Sequence, residues 1–432
     1  MMLRFLVPAA AAEALATEMT RQVRGRGARA QGPTVSLHLD TDERYRCELM
    51  RSVRTLRSRA AQIELTFDTG HLSAPGLRQP VRELGMRLLA GPPAALDALA
   101  QRWSQRFGLL AEPRDLAERG ARLSLGQPHP ALRKSLAPAY DASADAAQAL
   151  AAVIDECVAQ IAYNAIGLLD GDPELRAEHV HQLRVGIRRL RSGLRCFEGW
   201  ADQPGEEALA GLKALFAALG TCRDADVLDS GVMADLARAG APPVAWPAAA
   251  TVNDPAALLR SEAVQHTLRR WLAWRWLLPT TQPATQPATQ PTAKPTPLPT
   301  PPALRQRAER RLARWHQRIV AEARAFDELD EPAVHALRKR VKRQRYAVEF
   351  FAVLLRRRDT ARYLDHLAAL QDGMGELNDL FVARDRYQAR LPDEPTAWFA
   401  LGWLAARIVQ ARAGVQGHLL RLACVPPPRA RR

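Results

Sequence analysis

HVHQLRVGIRRLRSGLRCF, His179 to Phe197, is written a second time as AVHALRKRVKRQRYAVEFF, Ala333 to Phe351. At a shift of 154 positions His181 falls on His335 and Arg184 on Arg338. Arg188-Arg189 fall on Lys342-Arg343, Arg191 on Arg345 and Phe197 on Phe351. A helical residue advances about 100°, which places Arg184, Arg188, Arg191 and Arg195 within roughly 80° of His181. Val180, Leu183, Ile187, Leu190 and Leu194 take the adjoining arc. The second copy sets His335, Arg338, Lys342 and Arg345 beside Val334, Leu337, Val341 and Val348. Each helix therefore packs through one stripe and lines up cations along the next. Cations one turn apart repel by a few tenths of a kcal/mol per pair, so the stripe calls for a counter-anion. A lone charge run is usually a solvated helix face. Recurrence, and the near absence of acidic i+4 partners, favour an anion site instead; Glu349, standing where the first copy has Arg195, is the exception.

The duplication extends beyond these helices. LGTCRDADVL (Leu219 to Leu228) is echoed by MGELNDLFVA (Met374 to Ala383), with Gly220 on Gly375 and Asp224 on Asp379. From 143 to 424 the periodicity is helical almost throughout. Its first long helix opens DASADAAQALAAVIDE, with Asp141 or Ser143 as the expected cap. The helix from Ala303 to Phe326 mirrors the one before the first copy. Between the copies lies PTTQPATQPATQPTAKPTPLPTPP, Pro279 to Pro302, too poor in apolar residues to pack and read as an extended linker. The sequence thus divides into residues 1–130 and a helical region 143–424, the latter with halves 143–278 and 303–424 about the linker 279–302.

The 432 residues carry 61 Lys+Arg against 46 Asp+Glu, a net charge of +15 that favours a polyanionic partner. Five cysteines (Cys47, Cys157, Cys196, Cys222, Cys424) form no CxxC pair, so neither zinc nor a disulfide framework is indicated. No cofactor or metal site is expected, and a reduced, cytoplasmic setting fits. No run of 18 apolar residues suggests a membrane span. WLAWRWLL, Trp271 to Leu278, reads as tryptophan-rich helix core. MMLRFLVPAAAAEALA resembles an export signal only faintly, being interrupted by Pro8 and Glu13.

Residues 1–130 are mixed. VSLHLD (Val35 to Asp40), QIELTF (Gln62 to Phe67) and VRELGMRLL (Val81 to Leu89) alternate as three short strands, with few strands expected between Leu39 and Ile63. PPAALDALAQRWSQRF, Pro92 to Phe107, reads as a helix.

The two basic helices and the RDADVL and LNDL segments resemble the halves of the conserved-histidine α-helical domain, CHAD, over roughly 143–424. The resemblance implies a pseudo-symmetric, duplicated helical bundle around a basic cavity, binding inorganic polyphosphate and associated with polyphosphate granules. It carries over His181, Arg184, Arg188, Arg189, Arg191 and Arg195, then His335, Arg338, Lys339, Lys342, Arg343 and Arg345, with Arg223 and Asn378 weaker. Asp224 and Asp379 are expected to cap a helix or hold an arginine. The N-terminal part resembles a CYTH domain, the triphosphate-tunnel type. Active members begin with an E-x-E-x-K strand, where this chain has Met1-Met2-Leu3-Arg4-Phe5, and carry a later E-L-E-L-E strand, here Glu83-Leu84-Gly85-Met86-Arg87. Metal-assisted hydrolysis needs convergent carboxylates, and Glu64 with Glu83 is too few.

The expectation is an α+β chain: a helical CHAD bundle behind an incomplete CYTH-like domain, acting as a polyphosphate binder and not as an enzyme. The rivals are a nucleic-acid binder, a residual triphosphatase and a protein scaffold. Neither the oligomeric state nor a phosphate role for Arg54, Arg57 and Arg59 is readable.

Overall fold

Alternation of apolar and charged residues builds the N-terminal part into one antiparallel sheet. The computed structural model describes residues 2–21, 35–40, 44–246, 254–274 and 303–431, with side chains for all of these but 20–21, 35–40, 207 and 221–230. The linker 279–302 lies outside the described residues. The strands are β1 (Met2–Leu6), β2 (Val35–Asp40), β3 (Arg46–Arg57), β4 (Gln62–Ala74), β5 (Leu77–Ala90) and β6 (Leu110–Ala111), in the order β2-β3-β4-β5-β1-β6. Three of the six follow the expected runs. The long β3 was not among those runs; among the described residues it is the one strand between Leu39 and Ile63, in keeping with the few expected there. Its apolar positions Cys47, Leu49 and Val53 alternate with Arg46, Glu48, Ser52 and Arg54, so charge hid the period-2 pattern. The signal-like opening is β1 and the start of α1 (Ala12–Arg21), with Leu3, Phe5 and Leu15 in the core.

One face of the sheet is dry. Phe5, Ile63, Leu65, Phe67, Leu84 and Met86 pack on α1 and on α2 (Pro93–Phe107), which supplies Leu96, Leu99, Trp103 and Phe107. Across the other face run Arg51, Asp68 and Glu83 in register, flanked by Arg4 and covered by α3 (Leu116–Ser124). Arg51 grips Asp68 through two bonds of 2.6 Å, and Arg119 of α3 comes within 3.6 Å of Glu83.

The helical region follows as α4 (Ala146–Asp170), α5 (Arg176–Phe197), α6 (Glu206–Ser230), α7 (Val232–Arg238), α8 (Pro255–Arg260) and α9 (Glu262–Leu272). Then come α10 (Leu304–Arg324), α11 (Glu331–Phe350), α12 (Arg357–Arg390) and α13 (Ala397–Ala423). The cap of α4 is Asp145, not Asp141 or Ser143. Its carboxylate accepts from the Gln148 amide while the Gln148 side chain accepts from the Asp145 amide, a reciprocal box that satisfies two orphan donors. Among the described residues α4 is the one helix long and apolar enough to cross a membrane (mean hydropathy 1.3), but 67% of that window is buried among its neighbours. Its apolar length is what a helix enclosed on all sides needs.

The same order of neighbours occurs twice. α4 packs on α5, α5 on α6, and α9 on both α6 and α4; α10 packs on α11, α11 on α12, and α13 on both α12 and α10. The two runs meet where α5 crosses α11. Trp271 and Trp274 lie in this core, their indole N–H groups donating to the Ala208 carbonyl and to Asp155. The sheet is docked on α9 through buried polar bonds: the Ala111 amide to Gln265 at 2.8 Å, and Arg269 to Asp97 at 2.9 Å. Arg114 adds a bridge between Glu112 and Asp170.

Candidate functional site

Both basic helices pack as their periodicity predicts. Val180, Leu183, Ile187, Leu190 and Leu194 of α5, and Val334, Leu337, Val341 and Val348 of α11, are buried. The cations on the next arc fall into three groups.

The first group sits at the two outer arms. Arg184 donates to the Phe216 carbonyl of α6 at 3.0 Å and lies 4.4 Å from the Phe216 ring centre. Gly220, one turn further along α6, leaves it room: a Cβ there would stand 2.9 Å from the guanidinium. On the other arm His335 and Arg338 line a cleft of about 300 Å³ with Asn378, Met374 and Phe381 of α12. Burial, then Lys339, Arg338 and Lys342, push the His335 imidazole below its ordinary range, opposed by the hydrogen bond it donates to Asn378. Glu331 and Asp385 also edge this cleft, but both are engaged by Arg384. His181 and Lys342 are half-buried, and Lys339 is exposed.

The second group meets at the crossing. Arg345 donates to Glu349 at 3.0 Å and to Gln371 of α12 at 2.9 Å. Arg188 of the other copy is half-buried, its Nε enclosed and without a hydrogen bond among the described residues. Burial raises the Tyr346 phenol, while the charges of Arg188, Arg189 and Arg345 pull it back down. Cations from both copies meet at Glu349, which Arg189 of one and Arg345 of the other both bond. Arg191, exposed, stands one turn beyond Arg188.

The third group departs from expectation. Arg189 is 2% exposed: its guanidinium is bonded to Glu349 and to the Leu136 carbonyl, and lies 4.9 Å from the Phe350 ring centre. It holds the crossing together and is out of a ligand's reach, which corrects its place among the binding residues. Arg343, its counterpart, turns toward α10 and lies over Trp315 at 5.8 Å, on the side of α11 away from Arg338 and Arg345. Burial and the nearby charge of Arg195 lower its pKa. Arg195 is exposed and 3.5 Å from Glu198. Neither residue was named on the cation stripe; the family resemblance had carried both over.

Of the companion residues, Asn378 lines the cleft and donates to Asp379 at 3.4 Å. The Arg223 and Asp224 side chains lie outside the described residues. Neither aspartate caps a helix, since both fall inside one: Asp224 in α6 and Asp379 in α12. Phe216, Gln371 and the central place of Tyr346 were not legible, because residues that meet a stripe from neighbouring helices carry no periodic mark of it.

On the sheet, Glu64 is tied to Arg87 at 2.8 Å. Glu83 is buried, and its carboxyl is pushed up to about 7 by burial, against the pull of Arg4 and Arg119. Gly85, on the same face, brings no side chain, and a Cβ there would press on Thr66 Oγ1, which would have to move. Among the described residues no group of three or more His, Cys, Asp or Glu is placed to hold a metal ion. Arg54 is neither a loop nor an exposed strand charge: it is buried, donating to the Glu18 carbonyl at 3.1 Å, while Arg57 and Arg59 are exposed.

The profile of the CHAD domain matches residues 152–388, more than half of the chain and both copies of the basic helix. The chain belongs to the CHAD family. It is also similar to the CHAD domain of the plant Ricinus communis, known from a crystal structure. The two are 26% identical over 70% of this chain and 99% of that one, with a TM-score of 0.49. Within the CHAD region the stripe cations occupy α5 and α11, and the companion segments occupy α6 and α12.

Proposed function

We propose that this CHAD protein binds inorganic polyphosphate along a band running from His181 and Arg184, past Arg188 and Arg191, to Arg345, Lys342, Arg338 and His335. The observation that carries the reading is the packing of α5 on α11, the two helices that bear the stripes, with Arg189 of one copy and Arg345 of the other bonded to the same Glu349. It makes two stripes into one continuous track. We read the two helix runs as pseudo-symmetric halves, because equivalent residues meet each other: Phe197 and Phe351 lie 5.3 Å apart, ring to ring. Arginine forks suit phosphate oxygens, and displacement of condensed counterions supplies much of the free energy, as it does on duplex nucleic acid. The protein is cytoplasmic on this reading and sits on polyphosphate granules.

The sheet we read as CYTH-like in strand order and without triphosphatase chemistry. Arg87 neutralises Glu64, Glu83 resists ionisation, and Gly85 supplies no carboxylate. Nucleic acid is the rival ligand, but the band offers no exposed aromatic platform for stacking bases, since Tyr346 is half-buried and ringed by cations.

Titration with polyphosphate of defined length across a salt series tests the reading. About four contacts from each half give a log–log slope of at most about −6 to −7. Changing Arg184, Arg188, Arg338 and Lys342 together to Ala removes about half of those contacts and should roughly halve that slope. Single-stranded DNA that displaces long polyphosphate at equal phosphate concentration would reverse the order of ligands. Granule localisation that survives the fourfold variant would make the helices a docking scaffold for protein.

A further inference from the structure

Helix α13 buries Ala397, Ala400, Leu404, Val415, Leu419 and Leu422 against its own bundle. Its opposite face carries Trp398, Val409 and Leu420, which are 66%, 70% and 52% exposed. Single exposed apolar residues need no explanation, but three on one stripe do. With Val409 as origin, Trp398, Gly402, Ala405, Ala413, Gln416 and Leu420 all fall within roughly 40° of it, and no charged residue shares that arc. Gly402, Ala405 and Ala413 are exposed, and a Cβ built on Gly402 meets nothing within 4 Å.

The spacing of this stripe reads the same in both directions. About Val409 the intervals are four, three and four residues on either side. A two-fold axis through Val409 with antiparallel helices therefore sets Trp398 against Leu420 of a second copy. It sets Gly402 against Gln416 and Ala405 against Ala413. The Ala405–Ala413 levels beside the axis are small against small and let the backbones come near the short end of the usual interaxial range of about 8–10 Å. Charge agrees with this pairing. Asp393 and Glu394 precede the helix, whereas Arg421 occupies its last turn and Arg429 follows. Antiparallel pairing brings each acidic end beside a basic end and opposes the two helix dipoles. A parallel pair would place like charges together.

We propose that α13 is the interface of a two-fold symmetric dimer of this chain, centred on Val409. Such an interface is self-complementary and closes on itself. On the polyphosphate reading, the dimer offers two bands to one polymer, which favours long chains through effective concentration.

Sedimentation equilibrium of the full chain without polyphosphate, at low micromolar concentration, tests the interface independently of the ligand. The expected mass is that of two 47.7-kDa chains, falling to one in Val409→Glu with an unchanged unfolding midpoint. In a Cys424→Ser background, itself uncross-linked, Val409→Cys should cross-link to its own copy under mild oxidation. Ala405→Cys should not cross-link alone, but should when mixed with Ala413→Cys. A single-chain mass, a dimer that survives Val409→Glu, or self-cross-linking of Ala405→Cys would each overturn the proposal. So would a single-chain mass with a slowly labelled Val409→Cys thiol, which would assign the stripe to another segment of the same chain.

Discussion

Arg189 of the first basic helix faces Glu349 of the second, whereas Arg343, in the equivalent place on the second helix, faces Arg195 of the first. One exchange at equivalent positions, glutamate for arginine, separates the two contacts. Where the carboxylate is present, the guanidinium is buried to 2% exposure and bonded to backbone and side chain. Where it is absent, Arg343 is only half-buried against Trp315 and Arg195 is driven into solvent, its side chain 61% exposed. A duplicated arginine is thus structural or available according to one neighbouring carboxylate. The sequence repeat alone does not say which.

The largest effect follows from removing that carboxylate. Glu349→Ala leaves the Arg189 charge buried without its partner, which should cost about 3–5 kcal/mol of stability. Urea unfolding of the full chain measures it. The double variant Arg189→Met, Glu349→Leu should recover most of the loss, because well-packed apolar residues often replace a buried ion pair without penalty. A loss under about 1 kcal/mol in Glu349→Ala would mean that water reaches Arg189, and the two contacts would no longer differ in kind.

A smaller effect of opposite sign comes from making the second contact resemble the first. Arg195→Glu sets a carboxylate beside Arg343 and removes a like charge. The pair is open to solvent on one side, so the gain should not exceed about 1 kcal/mol. Thermal or urea unfolding detects it as a raised midpoint, shrinking as salt is added. No gain at low salt would show that the Arg343 stack on Trp315 already satisfies that guanidinium.

How much of this was legible follows from where each signal lives. Apolar periodicity within one helix located α5, α11 and their buried stripes, since the 3.6-residue repeat is local. The cation stripe was legible for the same reason, and Arg184, Arg188, Arg338 and Arg345 stand on it. Arg189 was misassigned because burial depends on Glu349, 160 positions away. The cap of α4 was misplaced by four residues from Asp141, and by two from Ser143, because Asp141, Ser143 and Asp145 are equally good acceptors by type. Only Asp145 has Gln148 three residues on to complete the box. β3 was missed because Arg46, Arg51, Arg54 and Arg57 interrupt its apolar residues on both faces of the strand. The sheet order, with β1 between β5 and β6, leaves no trace in local pattern at all.

The smallest effect distinguishes the heads of the two helices, where His335 is exposed and His181 half-buried. Burial and the charges of Lys339, Arg338 and Lys342 lower the His335 pKa, so the free protein carries it neutral at pH 7. In the folded state alone, a depressed pKa means that protonation is disfavoured relative to the unfolded chain. That contribution to stability is present above the ordinary value of 6.5 and is lost as pH falls through the folded value. On the proposed polyphosphate reading, the bound polyanion would reverse the local field and raise the pKa, so the complex would take up a proton that the free protein does not. Affinity should therefore increase as pH falls through the range just below 7, and level off once the free protein is protonated too. The expected gain is on the order of threefold, since a single exposed group is partly screened. Titrating wild type and His335→Gln at matched ionic strength isolates this term from the other histidines. An unchanged pH dependence in the variant would leave His335 as an anchor of the helix head and take it out of the band.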